Sequence, residues 1–146
     1  MEIIALYAGH PLWESAKEYV NQCSWAGGRS LYQKMCSNSF QNWERVLFAR
    51  EDQEFLGFCT VVENDNMKDL TYSPFIGYVF VDEKARGKRL SEQMIRVGES
   101  YLKELGYDHV SIMSDHVGLY EKFGYTPVAR ARDYKDREET VFQKQL

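Results

Sequence analysis

Apolar side chains fall on nearly every position of residues 75–81, FIGYVFV, with Gly77 the one interruption. A strand that is apolar on both faces is covered on both, so this run is predicted to lie centrally in a sheet. Residues 44–51, ERVLFARE, and 54–63, EFLGFCTVVE, are rich in strand formers and are separated by Asp52–Gln53, which predicts a hairpin. MEIIALYA reads as a first strand. DHVSIMS, YTPVARARDY and REETVFQKQL read as later strands, the last two as a pair. Helical spacing governs two other stretches. Pro11 suits a helix start, and Leu12, Ala16, Tyr19, Val20 and Cys23 share one face. Gly27–Gly28 is expected to break the chain before a second short helix in RSLYQKMCSNSF. Leu90, Met94, Val97, Tyr101 and Leu105 form a stripe on a long helix that Gly106 ends. DHVGLYEKF is predicted as a short helix, capped by Asp115 and closed by Gly124. Strands and helices mixed in this order predict an α/β (α+β) domain with an antiparallel portion. No linker or repeat divides residues 1–146, so one domain is expected.

Composition narrows the function classes. Of 146 residues 44% are hydrophobic, enough for a true core, and the 14% aromatic share supplies rings for cores or ligand pockets. The net charge of −4 argues against a nucleic-acid partner bound through the whole surface. No apolar run is long enough to span a bilayer, and the N-terminus lacks a signal-peptide pattern. Cys23, Cys36 and Cys59 show neither metal-ligand spacing nor an even count, which fits free thiols in a cytoplasmic protein with no metal.

Against this acidic background, KARGKRLSEQMI gathers Lys84, Arg86, Lys88 and Arg89 just before a helix. Free N–H groups and the helix dipole favour an anion there, and a glycine lets the backbone approach it. The spacing fits neither a Walker A loop nor a dinucleotide fingerprint. A phosphate cradle and a solvated basic turn both remain open for this segment alone.

The following LYEKFGY, Leu119 to Tyr125, supplies the second piece. Together the two segments resemble the acyl-CoA-dependent N-acetyltransferase superfamily, GNAT, over nearly the whole chain. In that family a phosphate turn, usually Arg-Gly-x-Gly-Ile-Gly, follows a central strand and opens a long helix. A Leu-Tyr-x-Lys-x-Gly-Phe/Tyr signature closes a short helix further on. Arg86 and Gly87 match the start of the turn, but Arg89 and Ser91 stand where small residues are usual. Met113 stands where an Asn is common.

The resemblance implies a mostly antiparallel central sheet flanked by helices, with a splayed central strand pair. It implies acetyl-CoA as co-substrate and direct attack by a primary amine on the thioester. Val79, Phe80 and Val81 would meet the pantetheine arm, and Arg86, Gly87, Lys88, Arg89, Leu90 and Ser91 the pyrophosphate. Tyr120 stands at the position of the acid that protonates the leaving thiolate, and the amide of Phe80 or Val81 would serve the oxyanion. His116 and an ordered water are both open as the proton acceptor. Trp25, Tyr32, Trp43, Tyr72, Phe75 and Tyr78 are candidates for the acceptor pocket wall. A small-molecule amine is the leading acceptor. A protein lysine or N-terminus, and a non-catalytic acyl-CoA-binding module, are the alternatives. Aromatics near the C-terminal strands would permit a homodimer.

Overall fold

The computed structural model describes residues 1–146. Seven strands form one sheet: β1 (Glu2–Leu6), β2 (Arg45–Glu51), β3 (Glu54–Val62), β4 (Phe75–Val81), β5 (His109–Ser114), β6 (Thr126–Arg132) and β7 (Glu138–Gln145). Their order is β1-β2-β3-β4-β5-β7-β6. All neighbours are antiparallel except β4 and β5, which run parallel and meet in register only at Phe75 and Ser111. Beyond that point the two strands part, so the centre of the sheet opens like a fork. No helix is long and apolar enough to cross a membrane.

Helices cover both faces. Helices α1 (Trp13–Gln22) and α2 (Gly27–Cys36) pack Trp13, Val20, Leu31 and Met35 against Phe48, Phe58 and Phe80. Helix α3 (Leu90–Glu104) packs the opposite face against Leu47, Val61 and Ile76. Each buried aliphatic or aromatic side chain contributes about 1.5–3 kcal/mol.

Three local expectations change. The glycine pair does not break the chain: Gly27 and Gly28 open α2. A Cβ on Gly28 would lie 2.7 Å from the Val20 carbonyl oxygen, so the missing side chain lets α2 pack onto α1. Helix α3 buries Leu90, Met94, Ile95, Gly98 and Leu102, while Val97 and Leu105 are exposed. The expected short helix shrinks to a 3₁₀ turn at Tyr120–Phe123. Asp115 does not cap it: its carboxylate pairs with Arg130 at 3.1 Å, and Ser114 Oγ accepts the His116 N–H instead.

Candidate active site

Strand β4 carries an irregularity where the fork begins. Phe80 lies opposite Phe58 and Gly77 opposite Thr60, so Tyr78 and Val79 together face the single residue Cys59. Tyr78 takes a left-handed φ of +48°, which costs a non-glycine residue about 1–2 kcal/mol. Its hydroxyl is fixed by Ser30 at 2.8 Å and Asn66 at 3.0 Å. Strain of this kind persists only where the surroundings enforce it.

The bulge sets which main-chain groups face the gap. The Asp82 N–H donates to the Leu56 carbonyl, so alternation sends the Phe80 groups toward β3 as well. The N–H and C=O of Val81 point into the gap that β5 leaves, and so does the Val79 C=O, which opposes the Phe80 N–H in one peptide plane. Of the two amides read from the sequence as oxyanion donors, Val81 is therefore the free one. Arg86 bends back so that its Nε donates to the Val81 carbonyl at 3.3 Å.

After β4 the chain makes a 3₁₀ turn at Glu83–Ala85 and enters α3. From Gly87 to Glu92 no main-chain N–H donates within the protein. Gly87 (φ +83°) has open space where a Cβ would point. Arg89, just before the helix, has a φ of +59°. That backbone explains why a glycine suits this position, and here an arginine holds it at a cost. The turn borders a cleft of about 590 Å³ that reaches Val81, Leu119, Lys122 and Phe123. Arg86, Arg89 and Lys122 stand around it with one carboxylate, Glu92. Free N–H groups, a helix N-terminus and three cations suit a polyanion.

The LYEKFGY segment is anchored from beneath. Tyr125 Oη donates to the buried Glu99 at 2.7 Å, and Lys144 Nζ donates to Glu99 at 3.0 Å and to the Phe123 carbonyl at 2.9 Å. Gly124 turns the chain at φ +93°. These contacts hold the Tyr120 ring, itself buried, against Phe123, Tyr125 and Phe142. Burial first, then the Cys59 thiol, pushes the Tyr120 phenol up to about 12, against a hydrogen bond with Ser114. Tyr120 therefore keeps its proton at neutral pH and stands ready as a hydrogen-bond donor to charge developing beside it. Burial likewise pushes the Cys59 thiol up to about 12, which leaves it a neutral core group.

A second cleft, of about 780 Å³, adjoins the first across β4 and Tyr120. Its walls come from the start of α2, the loop after β3, strand β4, the end of β5 with the residues that follow, and the β6–β7 connection. Trp25 and Tyr78 line it, as do His116 and Tyr120. The Trp25 indole stacks on Phe80 at 6.2 Å with the ring planes 2° apart, and a Cβ on Gly27 would strike it at 2.4 Å. His116 sits exposed at the rim. The other aromatic candidates lie elsewhere. Trp43 packs on Tyr107, on the α3 side of the sheet, with ring centroids 5.6 Å apart. Tyr32 packs with the α1–α2 layer and does not line the cleft. Tyr72 and Phe75 sit one layer behind it, against Met67.

Sequence reasoning missed the cleft's carboxylates. Asp133 is buried and accepts Arg137 Nε at 3.0 Å and two backbone N–H groups. Burial pushes its carboxyl up, but these bonds outweigh burial and hold it below the usual range. Asp65 and Glu139 also line the cleft and accept no hydrogen bond from the protein. Burial, first among the causes, raises both. The missing side chain of Gly77 makes room for Asp65: a Cβ there would lie 2.4 Å from the carboxylate.

Comparison with known proteins identifies the family. Residues 12–125 match the family model described as Acetyltransferase (GNAT) family. The chain therefore belongs to the GNAT acetyltransferase family. Its structure is similar to that of an aminoglycoside 6'-N-acetyltransferase complexed with coenzyme A, at TM-score 0.73 and 13% identity, covering 99% of this chain and 97% of the other. It is similar to YhbS, a GNAT family N-acetyltransferase from Escherichia coli in complex with CoA, at TM-score 0.71 and 19% identity, covering 99% and 80%. A ribosomal-protein-alanine N-acetyltransferase from Brucella melitensis follows the same fold at TM-score 0.66 and 13% identity, with 100% of each chain covered. No curated protein sequence matches.

Proposed function

We propose that this protein transfers the acetyl group of acetyl-CoA to a primary amine of a small molecule. One observation carries the cofactor half: a free strand edge at Val81 leads directly to the unspent N–H groups of Gly87–Glu92. A pantetheine arm can add to such an edge as an extra strand, and a pyrophosphate fits the helix start. Arg86, Arg89 and Lys122 supply cations there, and Lys88, Leu90 and Ser91 supply main-chain donors. Bound in this way, acetyl-CoA supplies an acetyl group already activated as a thioester. In this reading the Val81 N–H, free of β3, donates to the thioester oxygen as charge builds on it. The Tyr120 phenol, pushed up to about 12 and so protonated at neutral pH, donates to the sulfur as it departs, and the proton lost by the amine nitrogen replaces the one it gives up.

The acceptor half rests on the second cleft. Its volume, about 780 Å³, is of the size that encloses a small molecule. Structural neighbours named for aminoglycoside and for ribosomal-protein acceptors share this fold at 13% identity, so similarity does not choose between them. The walls favour the small molecule: the β6–β7 connection and the start of α2 close the cleft on two sides. Unpaired carboxylates inside it suit a cation, the form of a primary amine at neutral pH.

Two measurements test the proposal. Acetyl-CoA raises the melting temperature, and thiol release becomes dependent on an added amine across a panel of alkyl, arylalkyl and diamine acceptors. Stabilisation without thiol release from amines or lysine peptides would identify a binding module instead. Release with peptides alone would identify a protein acetyltransferase. No stabilisation at saturating acetyl-CoA would refute both halves.

A further inference from the structure

We propose that Asp65 is the catalytic group that receives the acceptor's ammonium and removes its proton. This assignment rests on the acetyltransferase reading and deepens it.

Geometry carries the assignment. Asp65 stands in the loop after β3, where the chain leaves the sheet toward the cleft. Its carboxylate lies directly over the Gly77 Cα, on the strand that bounds the fork. The same cleft holds Tyr120, the proposed donor to the leaving sulfur, so the carboxylate and that end of the thioester site open into one space. No N–H or O–H of the protein satisfies it, although its neighbours Asn64 and Asn66 are both engaged, with Met67 and Tyr78. A half-buried carboxylate that no protein donor claims is free to accept from a ligand entering the cleft. A primary ammonium brings three.

The other ionisable groups of the cleft fit less well. Asp133 and Asp115 are already paired with arginines, at 3.0 and 3.1 Å. Glu139 is unpaired but stands on β7, across the cleft from β4. His116 lies at the exposed rim. The groups that face Asp65 are Lys34 from α2, Tyr78 from β4, Tyr120 from its turn, and Asp133 and Glu139 from the far wall. Burial and the two carboxylates raise its pKa to about 6, and Lys34 opposes them. At neutral pH it is ionised yet more basic than an ordinary aspartate, as a general base requires.

The step balances as follows. One proton passes from the ammonium nitrogen to an Asp65 oxygen. The freed lone pair forms the C–N bond at the thioester carbon as the C–S bond breaks. Sulfur leaves with its electron pair and takes the Tyr120 proton. The surplus proton on the new amide nitrogen returns to the Tyr120 phenolate, and Asp65 releases its proton to solvent. One proton is released for each ammonium acetylated.

The test follows thiol release with hexylamine, 2-phenylethylamine and butane-1,4-diamine against pH. With Asp65 as base the ammonium is the bound form. The kcat/KM of the intact protein rises through about pH 6 and then reaches a plateau. Asp65→Asn lowers kcat/KM at neutral pH by about 100-fold or more, and its rate climbs steadily toward the amine's own pKa, about 10. A variant that keeps the plateau and at least a third of the activity overturns the assignment. So does a limb that persists in Asp65→Asn and vanishes in His116→Ala.

A second arm needs no turnover. Carboxyl ¹³C NMR follows the Asp65 titration, and butane-1,4-diamine shifts it downward while butane-1,4-diol does not. That shift without thiol release would leave the ammonium site standing and refute the transferase reading. Thiol release without the shift would do the reverse.

Discussion

The basic cleft at the start of α3 and the acidic cleft behind Tyr120 share a wall but are built differently. The first is made largely of main chain: a free strand edge, a left-handed turn and N–H groups that no carbonyl claims. The second is made of side chains from several distant segments, with Asp65, Tyr78 and Trp25 held by unlike means. A main-chain site tolerates substitutions at its surface, because every residue but proline carries an N–H. A side-chain site changes its ligand whenever one residue changes. The pair therefore suits a constant anionic cofactor and a specific cationic acceptor.

The largest expected effect comes where the two clefts meet. Tyr120→Phe keeps the ring among Phe123, Tyr125 and Phe142 but removes the proton donor. Turnover should fall by about 10²–10⁴-fold with the acetyl-CoA Kd nearly unchanged. Equal losses in both would mean that the residue supports the cleft rather than the leaving sulfur. Gly77→Ala comes next. Its methyl would claim the space of the Asp65 carboxylate, 2.4 Å away. Amine kcat/KM should drop by about tenfold or more with cofactor binding intact, and a matched loss of cofactor affinity would erase the distinction between the clefts.

A stability effect follows in size. Folding raises the Asp65 pKa from 3.8 to about 6, so between those values the folded protein holds a proton that the unfolded chain has lost. Stability therefore falls as pH rises through this window, and the penalty persists above it. With allowance for its partial exposure, the cost is on the order of 1–2 kcal/mol. Asp65→Asn should raise the melting temperature at neutral pH by a few degrees (~2–4 °C per kcal/mol). Calorimetry should find little gain below pH 3.8, where the native carboxyl is already neutral. The smallest effect belongs to Arg89→Gly. Relief of the left-handed strain should add up to about 1 kcal/mol. CoA dissociation should change by less than about tenfold if main-chain donors carry the phosphates, as proposed. A larger change would assign that role to the arginine side chain.

How far each region was legible in the sequence follows from the same difference. The central strand, the β2–β3 hairpin and the basic turn are contiguous, so period and motif reveal them. The α3 face was misjudged because Gly98 packs through an absence: the position of its missing Cβ is 3.0 Å from Ile76 Cδ1 and 3.2 Å from Val61 Cγ2. A large-residue pattern shifts the stripe onto the exposed Val97 and Leu105. Among the aromatics, Trp25 and Tyr78 reach the cleft, but Trp43 faces the other side of the sheet, and composition carries no sign of side. Asp65 lay hidden in a polar loop. Its partial burial depends on a glycine in the next strand, a relation that exists only once β3 and β4 are paired.

The most direct test of the central claim is to titrate CoA into ¹⁵N-labelled protein and follow the backbone amides. The account predicts that the amides of Val81 and of Gly87–Glu92 shift together and saturate with the cofactor, while those of Asp65–Met67 move little until an amine is added. Saturating CoA that leaves Val81 and the α3 N-terminus unmoved would contradict it.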